Sequence, residues 1–197
     1  MWLICVLLAL FACGESASLP RLDPDAVILS FGDSLTHGQG VNRETESYPA
    51  VLEKLSGRKV INAGISGELS EEGLKRLPAL LDKHQPDLMI LCHGGNDILR
   101  KKDLNQMGAN VREMIRLAKD RNIPVVMLGV PRPAIFLSSL EIYQEIAEST
   151  GVLFIEDLIP DVLSDNSLKS DTVHPNKDGY QKIAEDIFSV LQDSGAV

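Results

Sequence analysis

Ser34, Asp171 and His174 are the residues of this chain whose types and spacing could do chemistry. An unassisted serine hydroxyl is a poor nucleophile and needs a neighbouring base. His174 is the natural base, because among the four histidines it alone has a carboxylate three residues upstream and a proline directly after it. Pro175 biases His174 away from helical geometry, towards an extended loop that can present its ring. At this spacing Asp171 can curl back to accept from one ring nitrogen, fixing the tautomer and stabilising the imidazolium formed when Ser34 gives up its proton. Gly94-Gly95-Asn96-Asp97 adds a side-chain amide, and Ile65-Ser66-Gly67 adds a backbone N–H that no side chain shields. With the Ser34 N–H, Gly67 and Asn96 would make a three-donor hole for the oxyanion of an attacked acyl group. Taken singly, each segment has a plainer reading: a turn or N-cap serine, a surface histidine near a helix start, a tight Gly-Gly-Asn turn. Asp33, beside the serine, reads as an acceptor for backbone donors rather than a catalytic acid. His37, His84 and His93 are scattered without metal-ligand spacing, and Cys92 and His93, adjacent on a strand, point to opposite faces.

These segments need a scaffold, and the hydrophobic pattern supplies one. Continuous apolar runs at Ala26–Phe31, Leu88–Cys92, Val125–Val130 and Val152–Ile155, with a shorter one at Val60-Ile61, read as strands covered on both faces. Helical periodicity lies between them. Pro49–Leu55 carries proline near its first turn and Gly57 past its end. Ser70 is the expected cap of a helix to about His84, with Leu74, Leu77, Leu80 and Leu81 on one face. Leu104–Lys119 follows, with Val111, Met114, Ile115 and Ala118 as its stripe. Ser138-Ser139-Leu140-Glu141 fits a capping box for a helix ending at Gly151. A polar loop from Asp161 to Asn176 precedes a last helix with Ile183, Ala184, Ile187, Phe188 and Leu191 on its apolar face. Strands alternating with helices imply an α/β fold, a three-layer α/β/α sandwich around a five-stranded parallel sheet of flavodoxin-like type. Ligands of such sheets bind beyond the carboxyl ends of the strands, where strand order reverses. Ser34, Gly67, Asn96 and His174 follow the first, second, third and fifth strands, so all should emerge on one edge.

The 197 residues, 44% hydrophobic and 24% charged, suit one globular domain with a sizeable core. A net charge of −9 without a basic stripe argues against a nucleic-acid partner, and the overall acidity gives no help on anionic lipid surfaces. Leu3 to Ala12 is apolar but too short to span a bilayer, and small residues follow it. Residues 1–18 therefore read as an export signal, although the usual early Lys or Arg is missing, and 19–197 as the single domain. Two cleavage points compete. Leu10-Phe11-Ala12-Cys13 resembles a lipoprotein signal, with Cys13 lipidated and anchoring the chain to a membrane that faces the bacterial periplasm. Ser16-Ala17-Ser18 resembles an ordinary cleavage site after Ser18. If cleavage precedes Cys13, Cys5 goes too, and Cys92 is left as a lone free thiol in an oxidising compartment.

Phe31-Gly-Asp-Ser-Leu-Thr-His-Gly38 resembles the first block of the SGNH, or GDSL, hydrolases, and Ile65-Ser-Gly67, Gly94-Gly-Asn-Asp97 and Asp171-x-x-His-Pro175 resemble the later blocks in family order. Gly73 to Leu81, with His84-Gln85-Pro86, is similar to the bacterial branch of acyl-CoA thioesterase I, lysophospholipase and arylesterase. The resemblance spans about Ala26 to Leu191. It implies the SGNH hydrolase fold, Ser34 as nucleophile, His174 as base with Asp171 as its partner, Ser34, Gly67 and Asn96 as the oxyanion hole, and no metal or organic cofactor. Gly64 lies near enough to compete with Gly67, which the Ile-Ser-Gly triplet favours. The chain departs from that branch in a shorter, proline-stiffened Gly129–Phe136 loop and in Cys92-His93 ahead of the glycines.

The expected activity is hydrolysis of carboxylic esters through an acyl-Ser34 intermediate, on lysophospholipid, aryl or short- to medium-chain acyl esters in preference to thioesters, since acyl-CoA is heavily anionic and the chain is acidic and expected to be exported. A carbohydrate or cell-wall O-deacetylase would use the same residues, but 5% aromatics give little material for a sugar-stacking platform. A non-catalytic exported binding protein is the rival from another class. Imidazole titrates near pH 6.5 in model peptides, so a reaction that needs it as a base slows below about pH 6.

Overall fold

Apolar runs that are buried on both faces become the middle of a sheet. β3 (Leu88–Cys92) and β4 (Val125–Leu128) are buried at every residue. β1 (Val27–Gly32) is buried from Ile28 onward. β2 (Lys59–Gly64) and β5 (Leu153–Ile155) are only partly covered, as suits the two outer positions. The computed structural model describes residues 19–132 and 138–197. The expected export signal, with Cys5, Cys13 and Ser18, lies outside the described residues, as do positions 133–137 of the Gly129–Phe136 loop. The five strands form one sheet in the order β2-β1-β3-β4-β5, with every neighbouring pair parallel. Strand order reverses between β1 and β3, so the crevice of this doubly wound sheet opens where those two strands end.

Helices cover both faces. α2 (Tyr48–Ser56) packs on α8 (Lys177–Asp193), which also meets α7 (Leu158–Ser164); α3 (Ser70–His84), α5 (Leu104–Lys119) and α6 (Glu141–Thr150) form the other layer. The sequence-derived stripes point inward. Leu77, Leu81, Val111, Met114, Ile115, Ile183, Ala184, Ile187 and Leu191 are all buried. Leu77 is fully buried under the sheet, and truncating such a side chain to Ala destabilises by about 2–5 kcal/mol.

Two expected caps are wrong. α3 begins after Leu69, whose N–H is met by the Glu72 carboxylate at 3.0 Å, while the Ser70 hydroxyl turns inward to donate to Asp97 Oδ1 at 2.8 Å. The Ser70 oxygen also accepts from Asn110 Nδ2 at 2.9 Å, so both its donor and its acceptor face the core rather than the first turn. α6 begins after Leu140 without a side-chain cap, because Ser139 is held in a bridge to Pro131. Short elements also escaped the periodicity reading. Ser34 opens a single turn, α1 (Ser34–His37), and Asn96 lies in another, α4 (Gly95–Leu99). The expected polar loop contains the end of α7 and a 3₁₀ turn at Asn166–Leu168.

Candidate active site

Ser34 is the first residue of α1, two residues past the end of β1. Asp33 caps the turn, its Oδ1 accepting the Leu35 N–H at 3.3 Å. The Asp33 side chain is buried between this turn and the next loop, with the Gly95 backbone N–H bonded to it. Burial pushes its carboxyl above the ordinary value, more than His93, the Leu35 and Gly95 N–H groups and His174 pull it down.

His174 reaches the same point from the far end of the chain. Its loop is pinned by a bridge between Lys169 and Pro175, by the Ser170 N–H donating to the His174 carbonyl at 2.9 Å, and by Asn176, which caps α8 through the Gly179 N–H. His174 Nε2 lies 3.1 Å from Ser34 Oγ, and Nδ1 lies 2.8 Å from Asp171 Oδ2. The second carboxylate oxygen of Asp171 accepts the Val173 and His174 N–H groups at 2.8 and 2.9 Å, so the loop is wound around its own acid. Burial raises the Asp171 carboxyl, but the bonds from the His174 ring and from these N–H groups outweigh it and hold the group below the ordinary carboxylate value. With the carboxylate accepting at Nδ1, Nε2 is left free to face the serine hydroxyl as an acceptor.

The remaining candidates sit on the neighbouring loops. Asn96 is in α4, after Gly94 at φ 107° and Gly95. Gly67, at φ 80°, lies in the turn after β2, and its carbonyl accepts from Arg100 Nη2 at 3.0 Å. Gly64 differs: its N–H donates to Asn62 Oδ1 at 3.0 Å. Among the described residues, no acceptor is bonded to the Ser34 N–H, the Gly67 N–H or the Asn96 side-chain amide. Two free backbone N–H groups thus accompany a free side-chain amide on adjoining loops. Ser34, Asn96 and His174 border one cleft, whose apolar walls include Leu35, Leu99, Val130, Pro131, Leu163 and Val173. Gly67 is not part of its wall. No aromatic side chain lines the cleft among the described residues.

Residues 30–182 match the model of the GDSL-like Lipase/Acylhydrolase family. The chain belongs to that family. As a GDSL-like acylhydrolase it is a hydrolase of carboxylic esters. It is 32% identical over 173 residues to thioesterase 1/protease 1/lysophospholipase L1 of Escherichia coli K12, covering 84% of this chain and 83% of that protein. It is 34% identical over 195 residues to an arylesterase of Vibrio mimicus, covering 93% and 95%. The fold superposes on the crystal structure of TesA with a TM-score of 0.77 at 26% identity, over 85% of this chain and 99% of that one.

Beneath the cleft lies a group that the sequence reading passed over. His93, set aside as a scattered histidine, is buried, with Nε2 3.1 Å from Glu68 Oε2. Glu68 also pairs with Arg76, whose Nε and Nη2 each lie 2.6 Å from one of its oxygens. Burial raises the Glu68 carboxyl, but the bonds from His93 and Arg76 outweigh it and hold the group below its ordinary value. The available signal was indirect: Glu68 follows Gly67 directly, and His93 immediately precedes the two glycines before Asn96.

Proposed function

We propose that Ser34 is the nucleophile, His174 the general base, Asp171 the residue that orients it, and the Ser34 N–H, Gly67 N–H and Asn96 amide the oxyanion donors. The observation that carries this reading is the unbroken chain of contacts from Asp171 Oδ2 through His174 to Ser34 Oγ, at 2.8 and 3.1 Å. The three unbonded donors on adjoining loops support it further. Ser34 Oγ attacks the acyl carbon while its proton passes to His174 Nε2, and the carbonyl oxygen becomes an oxyanion facing the donors. Collapse expels the alcohol, which takes the proton from His174. Water, deprotonated by the same nitrogen, then attacks the acyl-Ser34 ester and releases the acid.

The substrate reading is an ester or thioester with an apolar acyl group, of lysophospholipid, aryl or short- to medium-chain type. The apolar walls of the cleft suit the acyl group. Leu99 is shared with a second groove bordered by Lys101, Lys102 and Arg132, so the net acidity of the chain is locally reversed beside the site. A substrate with an anionic group on its leaving side fits that edge. The names of the relatives, a thioesterase/lysophospholipase and an arylesterase, agree with this choice. The same names do not favour the deacetylase alternative.

A fluorophosphonate probe and a p-nitrophenyl ester panel of graded chain length test both parts. Labelling of the wild type and none of Ser34→Ala is expected, with the highest kcat/KM above acetyl; equal labelling of the two proteins would remove Ser34 as the nucleophile. Export completes the proposal: residues 1–18 act as the signal, with Cys13 lipidated and anchoring the chain on the periplasmic side, and processing after Ser18 as the alternative. The described residues include no helix long and apolar enough to cross a membrane. Mass analysis of the processed N-terminus decides between a lipidated Cys13 and Leu19, and an unprocessed Met1 would refute both.

A further inference from the structure

Three separate loops supply Ser34, Gly67 and Asn96, and a hole made of such donors works only if the loops keep their relative positions. A buried cluster touches all three. The His93 side chain is fully enclosed, and its Nδ1 accepts the Gly94 N–H at 2.9 Å. That bond fixes the tautomer, leaving the proton on Nε2 to donate to Glu68 Oε2 at 3.1 Å. Glu68 is the residue after Gly67, and Gly94 lies two residues before Asn96, so a single imidazole spans the Gly67 loop and the Asn96 turn. On its backbone side, the His93 carbonyl accepts the Tyr143 hydroxyl at 2.7 Å. Arg76 pairs with Glu68 and donates from Nη2 to the carbonyls of Ala63 at 2.9 Å and Gly32 at 3.3 Å, at the ends of β2 and β1. Phe31 is packed between them, the Arg76 guanidinium 4.3 Å from its ring centre and the His93 ring 5.8 Å away. Gly73 on α3 leaves the space this requires, since a Cβ there would lie 2.3 Å from His93 Nε2.

We propose that His93 is a positioning residue for ester hydrolysis, its imidazole holding the Gly67 and Asn96 donors in register while Glu68 and Arg76 fasten the pair to the end of β1. This rests on the reading of Gly67 and Asn96 as oxyanion donors. His93 touches no reacting atom. It acts through Gly94 and Glu68, and a displacement of its ring reaches the transition state as a loosened hole.

The test uses the full chain and three variants, His93→Leu, His93→Gln and Gly73→Ala, assayed on p-nitrophenyl butyrate with urea unfolding in parallel. His93→Leu is expected to lower kcat by about 10–100-fold with KM within about twofold, the signature of lost transition-state alignment. Fluorophosphonate inactivation should slow by a similar factor. His93→Gln, which can still donate to Glu68, should recover most of the loss. Gly73→Ala should lower kcat in the same direction, although it leaves both side chains in place. A folded His93→Leu protein with kcat within twofold of wild type overturns the proposal, as does a loss confined to KM or one that follows only the unfolded fraction. If His93→Leu does not fold, Gly73→Ala decides, and wild-type kcat in that variant overturns it. Ser34→Ala is run alongside: turnover retained there refutes the nucleophile, whereas Ser34-dependent turnover with unaffected His93 variants refutes only the positioning role.

Discussion

Two histidine–carboxylate pairs lie at this edge of the sheet, one in the rim and one beneath it, and they are built in opposite ways. His174 and Asp171 meet at 2.8 Å on a loop, with the Asp171 side chain 55% exposed and, among the described residues, only the serine hydroxyl bonded to the other ring nitrogen. His93 and Glu68 meet at 3.1 Å with the ring enclosed and the carboxylate nearly so, and the other ring nitrogen is occupied by a backbone N–H. An imidazole can exchange protons with a substrate only if one nitrogen is free to do so. The upper pair therefore suits acid–base work and the lower pair suits holding still. Asp33 is buried close to both rings. The same two functional groups thus serve different ends according to what the second nitrogen faces and how much water reaches the carboxylate.

Mutations should separate the pairs. The largest effect is expected from Ser34→Ala, with turnover on p-nitrophenyl butyrate reduced by about 10⁴-fold or more and the urea midpoint unchanged. Asn96→Ala should follow, lowering kcat by about 10²–10³-fold with little change in KM. Asp171→Ala should lower kcat by about 10–100-fold, because water can reach Nδ1 in place of the exposed carboxylate. In the lower pair the larger change moves from rate to stability. Glu68→Leu leaves Arg76 without its partner and should cost about 3 kcal/mol by urea denaturation.

The smallest effect concerns acid. The folded Glu68 carboxyl is held below its ordinary value of 4.5, so its contribution to stability is complete above about pH 4.5 and is lost as pH falls through the lowered folded value. Glu68→Gln should therefore flatten the urea-midpoint profile between pH 5 and pH 3 more than Asp171→Asn does, because the Asp171 carboxyl is also held below its ordinary value but is more exposed and more screened. Equal flattening by both substitutions would remove the contrast between the two pairs.

The upper pair was legible in the sequence because its logic is local. Asp171 and His174 are three residues apart, and the apolar strands told where Ser34 and Asn96 must emerge. The parallel sheet with helices on both faces followed from the alternation of elements, since right-handed crossovers leave few other ways to wind such a chain. The lower pair was illegible because Glu68, Arg76 and His93 meet only through the crossing of α3 over the ends of β1 and β3, and no periodicity records that crossing. Caps failed at Ser70 and Ser138 for a related reason: an N-cap motif reports a local preference, and Asp97 and Pro131 made competing tertiary contacts at those places. Four-residue α1 and five-residue α4 are too short to show a helical period at all.

The most direct test is to quench the wild-type protein in acid during the first turnovers of p-nitrophenyl butyrate and map the acyl group by peptide mass analysis. A butyryl ester on Ser34, accumulating and then decaying as acid is released, is the predicted result. A butyryl group on another residue, or full turnover with Ser34 replaced by alanine, would contradict it.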